Sequence, residues 1–204
     1  MNSLIRAIGF LMFFFAIIIA IWSWRLIAMP ELIQSEAWVH HLINYPIAMY
    51  LHFIFGPLSL ALMGFQFLKN FRQMKPLIHK RIGYIYIASC LLAAFSAIPL
   101  ALNTKEGPIA ALGLLTLALV WIVFICLATR AIFNSNFKLH ERYMYRAAAL
   151  TFAGVTLRLY LIIAVSVLDI SYQVAYPIIS WLCWLSPLIA VEIYIQKKLN
   201  KSSV

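Results

Sequence analysis

An all-α, polytopic membrane protein is the fold class this sequence predicts, and three observations predict it. Of 204 residues, 65% fall in the broad hydrophobic class. Only 11% are charged, where a soluble domain typically carries about twice that share. The charged residues also stand in groups, separated by apolar runs of about the 20 residues that a spanning helix requires. Disorder is excluded, because it pairs low hydrophobicity with high charge. The length suits one transmembrane domain, 1–204, with no large soluble domain.

Each span is bounded by charge. Arg6 and Arg25 enclose 18 uncharged residues, which predicts a helix over about 5–27. This start resembles a signal peptide, but Trp22, Trp24 and Arg25 form no small-residue cleavage site, so it reads as a retained helix. Glu36 and Lys69 enclose 32 residues with a polar entry at His40, His41, Asn44 and Pro46, which places the second helix at 44–67. Runs of 23 residues, from Arg81 to Lys105 and from Glu106 to Arg130, predict helices over 82–102 and 109–131. A stretch interrupted only by Arg158 predicts 146–168, and the 22 residues between Asp169 and Glu192 predict 175–195. Six helices joined by short connections make a compact antiparallel bundle. Residues 28–43 are too polar to span and read as a segment lying in the outer interface.

Loop charge sets the orientation. Lys69, Arg72, Lys75, Lys80 and Arg81 fill one connection, and Arg130, Lys138, Arg142 and Arg146 another. With Lys197, Lys198 and Lys201 in the tail, the positive-inside rule puts both termini in the cytoplasm. The formal net charge of +10 therefore needs no nucleic-acid partner. Trp22, Trp24 and Trp38 at one end, and Tyr84, Tyr86, Tyr143 and Tyr145 at the other, read as interfacial belts. Cys90, Cys126 and Cys183 lie in apolar runs with no CxxC, so they read as small buried hydrophobes.

Several residues exceed what lipid-facing composition requires. His52 lies about 10 Å inside the second helix by the usual rise per residue. Tyr45, Met49, Gly56, Ser59 and Met63 share its face. An ionisable side chain at that depth faces the bundle interior, either as a neutral hydrogen-bonded ring or as a ligand. Arg158 lies about 15 Å inside the fifth helix. Its open readings are a carboxylate or phosphate fork, pairing with an acid such as Asp169, and snorkelling to the outer surface. PLIHKRIGYIY (76–86) and FKLHERYMYRA (137–147) each set H-x-R at the start of a spanning helix. His79 and His140 there suit axial haem ligation or half of a metal site. Arg81 and Arg146 beside them suit an anion or lipid headgroups. Glu192, at the inner end of the last helix, meets a basic residue or reaches water. HExxH, P-loop, EF-hand and dinucleotide fingerprints are absent from the sequence. Adjacent His40 and His41 should point in different directions on a helix.

HFIFGPLSL around His52, IHKRIGYIY around His79, HERYMYRAAALTFAGVTLRLYL and the closing WLCWLSPLIAVE resemble an uncharacterised family of predicted bacterial membrane proteins, the domain-of-unknown-function family numbered 2306. The resemblance covers roughly residues 45–195. It implies a multi-pass protein of the bacterial inner membrane and carries no established activity. By likeness to its pattern, His52, Gly56, His79, Arg81, Gly83, His140, Arg146, Arg158 and Glu192 are the positions to test. Where many members have Trp before the Met, this chain has Tyr143 before Met144.

Three functional readings follow. The first is a haem-binding or other redox-active membrane protein. It would hold haem b or a transition metal through His52, His79 and His140, with Arg158 at the cofactor. Arg81, Arg146 and Glu192 support it, and a quinone or membrane redox partner exchanges electrons. The second is a transporter or channel for protons, anions or small solutes, lined by His52 and Arg158. Against it, no pair of broken helices stands at equivalent positions. The third is an assembly, sensor or immunity-like protein whose polar residues tie helices together. A homo-oligomer is compatible with each.

Overall fold

The computed structural model describes residues 3–29 and 36–202. Among these residues every regular element is helical: α1 (Ser3–Ala28), α2 (Glu36–Asn44), α3 (Pro46–Phe67), α4 (Lys69–Met74), α5 (Pro76–Leu102), α6 (Gly107–Phe133), α7 (Phe137–Ile162) and α8 (Tyr172–Ser202). α7 runs into a π-helical turn, Ile163–Val167. Five of these helices are long and apolar enough to cross a membrane, and α1 contributes a shorter apolar stretch, Gly9–Arg25. The protein is thus a polytopic helical membrane protein, as the charge spacing predicts.

Three boundaries differ from the sequence expectation, for one reason. α5 begins at Pro76 and α7 at Phe137, about two turns before the apolar runs, and α8 runs on to Ser202, about two turns past the last one. The basic segments IHKR and HERYMYR are therefore helical. Lys, Arg, Glu and Met favour helix as much as Leu does, so charge marks where apolar character ends rather than where the helix ends. Two short helices, α2 and α4, occupy the connections on either side of α3. In the predicted outer segment 28–43, Ala28 ends α1, residues 30–35 lie outside the described residues, and α2 holds 36–43.

The chain divides into an N-terminal unit, Met1–Leu100, and a C-terminal unit, Ala101–Val204. In the N-terminal unit α1 packs along α3. Gly64 allows this approach: a Cβ there would fall 1.8 Å from the Phe13 ring. Small residues at such contacts let backbones close together where lipid supplies no hydrophobic drive. Higher up, the Trp24 indole donates to the Ile54 carbonyl at 3.2 Å. Met49 and Phe53 form a buried centre with Ile27, Leu42 and Leu100 around it.

In the C-terminal unit α6, α7 and α8 pack on one another. α6 ends with Ser135 in the left-handed region (φ 56°). The Ser135 and Asn136 amides return to the Ile132 and Ala131 carbonyls, at 3.0 and 2.9 Å. That is a Schellman stop. Asn136 then caps α7, its side-chain oxygen accepting from the Leu139 amide at 3.1 Å. The result is a three-residue hairpin between antiparallel helices. α6 and α8 meet closely at Gly113, where a Cβ would lie 2.6 Å from Ser180 Oγ and 2.9 Å from Trp181 Nε1. Pro187 has no N–H to give the Cys183 carbonyl four residues earlier. The Thr156 hydroxyl donates to that carbonyl from α7 instead.

Candidate functional site

His52 stands in the second turn of α3, half-buried. Its Nδ1 lies 3.0 Å from the Ala93 carbonyl oxygen of α5. A carbonyl oxygen only accepts, so Nδ1 is the donor and the neutral ring carries its lone pair on Nε2. Ser96 Oγ donates to the same oxygen at 3.0 Å, which holds the anchor in place. One turn below, Gly56 leaves room beside the ring. A Cβ there would meet His52 Nε2 at 3.9 Å and nothing else within 4 Å. The arrangement fixes the tautomer and directs a basic nitrogen over a glycine. Metal-ligating histidines are characteristically oriented by such a second hydrogen bond.

His140 repeats this chemistry in the C-terminal unit. It occupies the fourth position of α7, and its Nδ1 lies 2.9 Å from the Ala128 carbonyl of α6. His79 occupies the fourth position of α5, in the N-terminal unit. Thus H-x-R falls within the first two turns of each helix. Arg81 is exposed beside His79.

Arg146 and Glu192 are brought together. The guanidinium forks onto the carboxylate, with Nε donating to Oε1 and Nη2 to Oε2, the latter at 2.9 Å. Tyr143 and Phe124 lie beside it, 5.6 and 5.9 Å from the guanidinium carbon. Of the two sequence readings for Glu192, meeting a basic residue is the one observed. A second link, Lys198 to Glu141 at 3.0 Å, continues the α7–α8 seam.

Arg158 departs from two of its readings. Its Nη1 donates to the Gly154 carbonyl at 2.6 Å. Helical side chains lean toward the N-terminus, so the guanidinium turns into the span. It turns away from exposed Asp169 and from the near surface, and neither pairing with Asp169 nor outward snorkelling describes it. Tyr176 of α8 is within electrostatic reach. Beyond Arg158 the π-turn closes with the Leu168 amide on the Ile163 carbonyl at 3.0 Å, and Asp169 takes a left-handed conformation (φ 54°).

Two smaller expectations are corrected. His40 and His41 do not diverge: their rings lie against each other, centroids 3.9 Å apart and tilted by 39°. Cys90 and Cys183 are buried, but Cys126 is exposed on the outer face of α6, where an apolar run includes lipid-facing positions. Sequence reasoning passed over Gln66 and Trp121, and took Trp184 only as part of the closing WLCWLSPLIAVE motif. Each is buried with a side-chain N–H lacking a hydrogen-bond partner among the described residues. Their signal was position, since both indoles lie inside spans rather than at the interface where tryptophan usually sits. Among the described residues no three His, Cys, Asp or Glu side chains gather as a metal-ion cluster.

No curated protein and no solved structure matches the chain. The family described as "Predicted membrane protein (DUF2306)" matches residues 49–195. That span holds His52, His79, His140, Arg146, Arg158 and Glu192. The chain belongs to the DUF2306 family of predicted membrane proteins.

Proposed function

We propose that this is a haem-binding, redox-active membrane protein in which His52 would hold the haem. The observation that carries the reading is the His52 ring: Nδ1 fixed on the Ala93 carbonyl at 3.0 Å, Nε2 turned to the space over Gly56. A haem iron needs only one or two side-chain ligands. A closed ion site needs three or four, so isolated histidines suit haem better. Within the same unit His79 is a second candidate ligand, and in the C-terminal unit His140, with its own carbonyl anchor, is a separate one. A haem supplies one-electron chemistry when bound. The protein's part is to hold the imidazole tautomer, exclude water and set the local dielectric. Electrons would pass to a quinone or another redox partner of the bacterial inner membrane.

The test is spectroscopic. The full chain, purified in mild detergent from cells supplied with haem, should show a Soret band. Dithionite should sharpen its visible bands. Protein that is folded by circular dichroism yet carries neither haem nor stoichiometric metal would reject the reading.

A further inference from the structure

We propose that Ser96 is a positioning residue for His52. By donating to the same carbonyl oxygen of Ala93, it sets how strongly the His52 ring is polarised, and so how good a donor Nε2 is. The inference rests on the reading of His52 as the residue that would hold haem, and it names the group that would tune the potential there.

The first observation is one acceptor with several donors. His52 Nδ1 and Ser96 Oγ each lie 3.0 Å from the Ala93 oxygen. Ala93 also lies inside α5, where the amide four residues on points at that oxygen. A carbonyl oxygen has two lone pairs. Three donors on two lone pairs compete, so each bond is weaker than it would be alone.

The second observation is burial. Ala93 is 0% exposed and Ser96 5%. Water has little access to the shared oxygen, so removing the hydroxyl leaves that acceptor to His52 and to the helix. The Ser96 bond also runs within α5, three residues back. It does not fasten α5 to α3, whereas the His52 bond does. Losing the hydroxyl should therefore change the His52 bond more than the packing, since such serine back-bonding adds little to a helix.

The third observation is a contrast. His140 is anchored on the Ala128 carbonyl at 2.9 Å, but the residue three positions on is Ala131, which has no hydroxyl. The two carbonyl-anchored histidines thus differ in one group. A tighter hold on Nδ1–H makes an imidazole the more basic ligand, and a more basic ligand favours oxidised iron. Sharing the anchor works the other way, so Ser96 keeps the potential at His52 up.

Redox potentiometry of the full chain, loaded with haem in mild detergent, tests this. Ser96→Ala should lower the ratio of reduced to oxidised haem at a fixed potential about threefold, the size expected when part of a hydrogen bond's net worth is redistributed. Ser96→Thr keeps the hydroxyl and should stay close to the wild type. Ser89→Ala removes a hydroxyl of the same helix that bonds the Ile85 carbonyl at 2.7 Å, not the His52 anchor, and should leave the ratio unchanged. In haem-free protein carrying isotope-labelled histidine, the His52 Nδ1–H proton resonance should move downfield in Ser96→Ala. A resonance that stays or moves upfield would overturn the proposal, whether or not haem binds. So would an unchanged or raised ratio in a protein whose haem is lost on His52→Gly. Haem that persists in His52→Gly, or no haem at all, rejects the ligand reading alone, and the resonance then decides the role of Ser96.

Discussion

Arg146 and Glu192 lie 46 residues apart and form a two-bond fork that fastens α7 to α8 at their basic end. Their side chains are 19% and 39% exposed, so water screens the pair in part. Glu192→Ala should cost about 1–3 kcal/mol, the range for a hydrogen bond to a charged group. A double-mutant cycle with Arg146→Ala, read by thermal unfolding in detergent, should give strong coupling. Additive losses would show that the fork contributes nothing.

Gly64 predicts a larger effect. A Cβ there overlaps the Phe13 ring. Gly64→Leu should destabilise the N-terminal unit by about 1–3 kcal/mol, as overpacking does. Phe13→Ala in the same chain should recover part of the loss. If the pair of changes is no better than Gly64→Leu alone, α1 does not pack on α3 at this point.

Ser135 offers a gain. It holds a left-handed conformation (φ 56°) that glycine adopts without penalty. Ser135→Gly should raise stability by about 1 kcal/mol, visible as a higher unfolding midpoint. A lowered midpoint would mean that the serine side chain itself supports the hairpin.

Gly56 separates ligand binding from folding. Gly56→Ala places a Cβ against His52 Nε2 alone, and alanine is the better helix former by about 1 kcal/mol. The unfolding midpoint should hold or rise. Gly56→Leu should fill the space beside Nε2 and lower haem content at unchanged helicity. Full haem loading in Gly56→Leu would place the cofactor elsewhere.

The helices were legible because charge is so costly in lipid that its spacing records each span. The first turns of α5 and α7 were not, since Lys, Arg and Glu are good helix formers outside the bilayer. Depth singled out His52 and Arg158, but their orientations depend on backbone groups that sequence does not display. The Ala93 carbonyl is 41 residues from His52, and any residue type would supply it. The Arg146–Glu192 fork was half visible, as a base and an acid at one end of the bundle. In the sequence Trp121 and Trp184 are ordinary apolar residues, and only the structure shows that their N–H groups lack acceptors among the described residues.

The central claim is that His52 offers Nε2 to a haem iron. Its most direct measurement compares oxidised and dithionite-reduced spectra of the wild type and His52→Gly, with and without added imidazole. Loss of the haem bands in His52→Gly, and their return with imidazole, is the predicted result. A haem spectrum unchanged by His52→Gly would contradict it.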